Sequence, residues 1–319
     1  MRRDTFLKSI AALAAAGALP MSAQAAANLK LMIPANPGGG WDTTGRALGK
    51  ALQDGGLATS VSYENKGGAA GAIGLAQFVN AAKGDPNALM VMGAVMLGGI
   101  ITGKPPVTIT QATAIARLTS EYNVFVLPEN SPFKTMKDVV EAMKKDPASV
   151  KFGGGSRGST EHIAAAMMAR EAGIDASKIN YVPFRGGGEA IAAILGGNVT
   201  VGGSGYSEFQ QYIEAGKMRP IGVTSDVRLK GINIPTLKEQ GINVVIGNWR
   251  GVYAAPGITA EQRKALTDLV VAATKTKTWG ELLVKNNWTP ALLAGKPFEE
   301  FVDNEFASLR ATMVKAGMI

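Results

Sequence analysis

The 319-residue sequence contains no cysteine and one histidine, His162. The missing cysteines exclude thiol nucleophiles, Cys-ligated zinc and iron–sulfur clusters. A lone histidine excludes any two-histidine metal site and leaves a Ser-His-Asp triad only through His162. Long apolar runs are also missing: past the first residues, no segment approaches 18 consecutive apolar residues, so no membrane-spanning helix is expected. Basic residues form no run and do not alternate with aromatics, which argues against a nucleic-acid partner. What is present is a globular composition, 46% hydrophobic and 18% charged, sufficient for one or two domains. Glycine stands out at 40 of 319 residues, where roughly 7% is usual.

The N-terminus reads as an export signal. Arg2, Arg3 and Lys8 form a positive stretch, Ile10 to Leu19 is apolar, and Ala23-Gln24-Ala25 is a small-residue cleavage site. Residues 1–25 are therefore expected to be removed, cleaved near Ala25. Arg2-Arg3 followed by Phe6 is one residue out of step with a twin-arginine signal, which leaves Sec and Tat export both open. The whole chain carries +8, and the signal accounts for a net +2 of it. A mature chain at +6 suits an anionic small solute, which this charge would steer modestly.

One pattern is written twice. In the first half, strands at 29–34, 59–65 and 88–93 are separated by Pro37-Gly38-Gly39-Gly40 with a helix from Thr43 to Gln53, and by Gly67-Gly68 with a helix through Val79. Further strands follow at 114–118 and 123–127. In the second half, strands at 150–154, 179–184 and 199–203 are separated by the Gly153–Gly158 turn with a helix from Thr160, and by Gly186-Gly187-Gly188 with a helix to Leu195. Strands at 219–224 and 249–254 follow. The alternation predicts an α/β fold with parallel, doubly wound sheets. Each half ends on a strand, a proline, an N-cap and a helix, which predicts two crossings between two lobes. Lobe 1 is expected at 28–123 and 252–319, and lobe 2 at 124–251. A single large doubly wound sheet is the alternative.

Ligands of open α/β sheets sit beyond the carboxyl ends of the strands, and here those ends carry glycine turns that open helices. Free N–H groups and the helix dipole favour an anion there. The first candidate segment comprises Pro37, Gly38, Gly39, Gly40, Trp41, Asp42 and Thr43, in which Asp42 serves as a cap or water holder. The second comprises Ser156, Arg157, Gly158, Ser159 and His162. The third comprises Arg185, Gly186 and Gly187, joined by Ser204, and Arg185 offers a guanidinium fork to a carboxylate. Lys66 adds a further donor edge. For each segment an ordinary capped helix start is the alternative.

Gly153, Gly155 and Gly158 also match G-x-G-x-x-G between a strand and a helix, the context of a dinucleotide-dependent oxidoreductase. The acid expected about 20 residues on is absent. A hydrolase built on Ser156 and His162 is the third reading, without a nucleophile-elbow motif to support it. No catalytic residue, cofactor or metal is assigned.

Several segments together resemble the substrate-binding proteins of tripartite tricarboxylate transporters, the Bug-type receptors. They are PANPGGGWDTTGRALGKAL, ENKGGAAGAIG, FGGGSRGSTEH, YVPFRGGGEAIAAILGG and WRGVYAAPGIT, in order along the whole mature chain. The resemblance implies a periplasmic-binding-protein-like fold (type II, Venus flytrap) of two lobes joined by two crossing strands. It implies a monomeric periplasmic receptor, not an enzyme, that hands a carboxylate to a permease with a large and a small subunit. The family's glycine loop maps to Pro37–Thr43, its cleft-organising acid to Asp42, and its domain-two loop to Ser156, Gly158, Ser159 and His162. The aromatic-Arg-Gly turn maps to Arg185–Gly188. The Gly-Gly-Gly-Trp-Asp form is similar to the tricarboxylate-binding branch, which implies citrate or a related acid.

Overall fold

The computed structural model describes residues 27–319. The export signal expected at 1–25 lies outside the described residues. The first strand, β1 (Ala27–Ile33), pairs in parallel with β2 (Ala58–Asn65) and β3 (Ala88–Gly93). Helices α1 (Gly40–Asp54) and α2 (Ala72–Ala81) connect them. In α1, Leu48, Ala51 and Leu52 recur at three- and four-residue spacing and are fully buried, so one stripe of the helix packs on the sheet. After β3 comes α3 (Ala94–Gly103), a helix the strand-and-turn pattern did not reveal. It is apolar nearly all round, and a helix buried on every side has no 3.6-residue polar rhythm to read.

β4 (Thr113–Pro128) spans both halves of the molecule. Separate strands expected at 114–118 and 123–127 are one strand of 16 residues. The intervening Thr119-Ser120-Glu121-Tyr122 looks like a polar break. Yet Thr119 and Glu121 are buried, and this stretch pairs with β9 (Gly247–Ala254). Thr135 then caps α4 (Met136–Lys145) by accepting the Asp138 N–H.

The second half repeats the first. β5 (Lys151–Gly154) pairs in parallel with β6 (Asn180–Pro183) and β7 (Val201–Gly205), through α5 (Thr160–Glu171) and α6 (Gly187–Leu195). After α7 (Tyr206–Glu214), β8 (Met218–Val223) pairs antiparallel with the distal part of β4. The chain ends in α8 (Ala260–Ala273), α9 (Lys277–Lys285), β10 (Thr289–Ala294) and α10 (Lys296–Lys315). β10 returns to pair antiparallel with β4, on the edge opposite β9.

The strand order is β2-β1-β3-β9-β4-β7-β5-β6, with β8 and β10 both on β4. The expected parallel sheets are thus mixed. Parallel trios lie at each end, and antiparallel β9 and β4 lie between them, β4 pairing with β9 along Thr113–Tyr122 and with β7 and β8 along Asn123–Pro128. Residues 247–251, expected with the second half, pair instead with β3 and with the proximal part of β4. No helix among the described residues is long and apolar enough to cross a membrane.

Candidate functional site

The loops at the carboxyl ends of β1, β5, β6 and β7 meet across a cavity. From the first half it is lined by Gly39, Gly40, Trp41, Ala70 and, on β9, Asn248 and Arg250. From the second half come Ser156, Glu161, Arg185, Gly186, Gly187, Ser204 and Glu208. The two glycine turns touch: a Cβ on Gly39 would lie 2.9 Å from the Gly187 nitrogen. A Cβ on Gly40 would overlap the Arg250 guanidinium. Only glycine at these positions allows this approach of backbone to backbone and backbone to cation.

Of the residues expected from the sequence, Gly39, Gly40, Trp41, Ser156, Arg185, Gly186, Gly187 and Ser204 line the cavity. The others do not. Pro37, Gly38, Lys66 and Arg157 are exposed beside it in sequence. Asp42 is buried in the first turn of α1, where it accepts the Gly38 N–H at 3.1 Å, Arg46 Nε at 3.0 Å and Asn65 Nδ2 at 3.0 Å. Burial raises its carboxyl, but the bonds from Arg46, Asn65 and Gly38 outweigh that and hold it below the ordinary range. Thr43 bonds back to the Gly39 carbonyl at 3.2 Å. Ser159 caps α5 and bonds Tyr181 Oη at 3.0 Å. Gly158 takes φ +83° against α3, where a Cβ would sit 2.5 Å from the Gly98 oxygen. His162 stacks on Tyr181 at 4.1 Å, and its Nδ1 accepts the Gly158 N–H at 3.0 Å. Burial, aided by Arg157, lowers its pKa to about 4 and keeps it neutral.

The turn N–H groups were expected to await an external anion. Many already hold an internal carboxylate. Gly38 N–H has Asp42, and Gly155 N–H has Glu161 Oε1 at 2.5 Å. Arg185 N–H has Glu189 Oε2 at 3.1 Å. Gly40 N–H, at the head of α1, has Glu208 Oε1 at 2.8 Å from the opposite half. Glu208 also accepts Ser204 Oγ at 2.7 Å and lies 3.6 Å from Arg250 Nη2. Arg250 in turn pairs with Glu121, and both side chains are 3% exposed. Glu121 further accepts Ser207 Oγ at 3.1 Å, and Trp288 Nε1 donates to Ser207 Oγ at 3.3 Å.

Glu208, Arg250, Asn248 and Glu121 were not anticipated as site residues. Arg250 and Glu121 did leave a trace: each is a charge inside a strand, where a buried charge needs a partner. Glu208 left none, because its partner Gly40 is 168 residues away. The contacts also weaken the catalytic alternatives. Gly155 and Gly158 N–H are occupied internally, which leaves that turn no cradle for a pyrophosphate. Ser156 Oγ accepts the Ala70 N–H at 3.2 Å, and His162 Nδ1 is engaged as an acceptor, so they do not form a nucleophile–base pair. Among the described residues no cluster of three or more potential metal ligands occurs.

Two further contacts tie the halves at the cavity mouth. Asn36 Nδ2 donates to Glu189 Oε1 at 2.7 Å, and Asn36 N–H to the Arg185 carbonyl at 3.4 Å. The two walls of the cavity thus share hydrogen bonds.

Comparison with known proteins agrees with this architecture. A family model described as tripartite tricarboxylate transporter family receptor matches residues 46–318. A Cupriavidus necator protein, the UPF0065 protein in the gbd 5′ region, is 27% identical over 318 residues, covering 97% of this chain and 95% of its own. The structure of the periplasmic binding protein BugD superposes with a TM-score of 0.83 at 21% identity, over 91% of this chain and 98% of its own. An R. palustris protein solved with adipate gives 0.81 at 19% identity, over 94% and 99%.

Proposed function

The chain belongs to the receptor family of tripartite tricarboxylate transporters, and from that premise we propose that it binds a small carboxylate between two lobes and delivers it to a membrane permease. A receptor of this family binds and releases its solute and is not an enzyme. The lobes proposed are residues 27–122 with 247–319, and 123–246, joined where β4 and the start of β9 pass between the halves. This moves the second crossing from the position expected between 251 and 252. One observation carries the reading: Gly39–Trp41 of one half and Ser156, Arg185–Gly187 and Ser204 of the other line one cavity. Ligands that contact both walls favour the closed state, which a permease can then distinguish from the open one.

The residues expected from the sequence take three roles. Gly39, Gly40, Trp41, Ser156, Arg185, Gly186, Gly187 and Ser204 contact the ligand. Pro37, Gly38, Asp42, Thr43, Gly158, Ser159 and His162 shape the turns. Lys66 and Arg157 act through charge alone. Location in the periplasm, after cleavage near Ala25, follows from the signal-like N-terminus together with the family. The permease partner has a large and a small membrane subunit, and the receptor works as a monomer. A tricarboxylate such as citrate, indicated by the Gly-Gly-Gly-Trp-Asp form, is one member of the ligand class. The related protein solved with adipate supports carboxylates more broadly.

A thermal-shift screen tests the proposal with di- and tricarboxylates, amino acids and nicotinamide cofactors. A ligand of the folded state raises the melting temperature by mass action. A carboxylate-bearing compound is expected to do so. Stabilisation by NAD and by no carboxylate would overturn the receptor reading.

A further inference from the structure

We infer that the ligand of this cleft is a small zwitterion with one carboxylate and one ammonium group, and that Glu208 sets this charge selectivity. The inference rests on the receptor reading above and narrows its ligand class. The observation behind it is a charge imbalance at the cavity wall. Glu161 and Glu208 line the cavity, and Glu121 stands behind Arg250. The buried cation among them is Arg250, already shared between Glu121 and Glu208. Arg185 also lines the cavity but is exposed to solvent.

The wall also carries unanswered hydrogen-bonding groups. Arg250 Nη1 and Asn248 Oδ1 have no partner among the described residues. Both residues line the cavity, and they are 2% and 5% exposed. Buried polar atoms without partners are rare, and at a cavity wall they mark what an occupant must supply. Arg250 Nη1 asks for an acceptor, which a carboxylate meets with a charge-assisted bond. Asn248 Oδ1 asks for a donor. An ammonium group has three N–H donors and no acceptor, so it can serve Asn248 Oδ1.

Glu208 decides against a second ligand carboxylate. Its own carboxylate occupies the Gly40 N–H at the head of α1, the most favourable anion position of the first turn. A further ligand carboxylate would find that position filled and would face Glu208. Like charges about 5 Å apart in a partly dry cleft weaken binding on the order of a hundredfold. An ammonium at the same place is attracted instead. Burial raises the Glu161 carboxyl, against hydrogen bonds from its own N–H and that of Gly155. An incoming cation supplies the countercharge that site lacks.

The test is isothermal titration calorimetry on the purified protein with two probe sets. One contains alanine, valine, phenylalanine and 4-aminobutyrate. The other contains propionate, lactate, succinate, adipate and citrate, which lack nitrogen. At least one amino-bearing probe is expected to bind tenfold or more tightly than every nitrogen-free probe. Glu208→Gln keeps an acceptor for Gly40 and removes the charge. It should lower the ratio of amino-bearing to succinate affinity by at least tenfold, with circular dichroism confirming the fold. Glu161→Gln is the second variant, expected to shift the same ratio in the same direction. A nitrogen-free carboxylate as the tightest ligand, or an unchanged ratio in both variants, overturns this inference and leaves the receptor reading intact. Failure of every carboxylate-bearing probe to bind overturns both.

Discussion

The Gly40 N–H donates to Glu208 Oε1 at 2.8 Å, joining the head of α1 to a helix of the opposite half. A backbone donor at a helix N-terminus attracts negative charge, and here the protein provides that charge itself. The bond spans the cavity, because its partners come from different halves and lie 168 residues apart in sequence.

Arg250 holds the buried charges beside that bond. Its guanidinium pairs with Glu121 and reaches Glu208, with the Arg250 side chain 3% exposed. Arg250→Met leaves Glu121 buried without a cation. The expected cost is about 3–5 kcal/mol in urea denaturation. Adding Glu121→Gln should recover part of the loss, and a double variant no more stable than the single one would contradict the pairing.

Gly158 is needed for both its conformation and its lack of a side chain. It has φ +83°, and a Cβ would lie 2.5 Å from the Gly98 oxygen of α3. Gly158→Ala should destabilise the closed form by about 1–3 kcal/mol and weaken ligand binding by a similar factor. Gly173→Ala is the control, because Gly173 has φ +73° with open space around it. It carries the backbone strain alone and should leave ligand affinity unchanged.

His162 predicts an acid-side loss of stability. Its folded pKa is about 4, depressed by burial and by Arg157 from the ordinary 6.5. Between pH 6.5 and about 4 the unfolded chain takes up a proton that the folded chain refuses. Stability is therefore complete above pH 6.5, falls as pH drops through this window, and levels off below it. The contribution is no more than about 3 kcal/mol. His162→Asn, whose side-chain oxygen can still accept the Gly158 N–H, should flatten the slope in this window. An equally steep slope in the variant would assign the loss to the carboxylates.

Arg185 lines the cavity from an exposed position. Arg185→Ala should weaken carboxylate binding by about 1 kcal/mol, below the usual range for a charge-assisted donor because solvent screens it. The effect should shrink as salt rises. Unchanged affinity at low salt would remove Arg185 from the site.

The glycine turns were legible because strand-to-helix joints that approach another backbone require glycine, as Gly39 against Gly187 shows. The doubled βα pattern was legible for the same local reason. Long-range features were not. Continuity of β4 through Thr119–Tyr122 depends on pairing with β9, more than a hundred residues later. α3 lacks a polar face to reveal its period. The main surprise is electrostatic: local sequence shows that a turn offers N–H groups, but not that Glu208 or Glu161 comes to fill them. Four polar residues expected at the ligand, Asp42, Thr43, Ser159 and His162, make hydrogen bonds within and beside the turns, partners that no local sequence pattern displays.

A crystal structure of the protein with the compound that stabilises it most will locate the ligand. The ligand carboxylate is expected within hydrogen-bond distance of Arg250 Nη1, between Gly39–Trp41 on one wall and Ser156 and Arg185 on the other. A ligand bound outside that cleft, or bound there without contact to both walls, would contradict the two-lobed receptor mechanism.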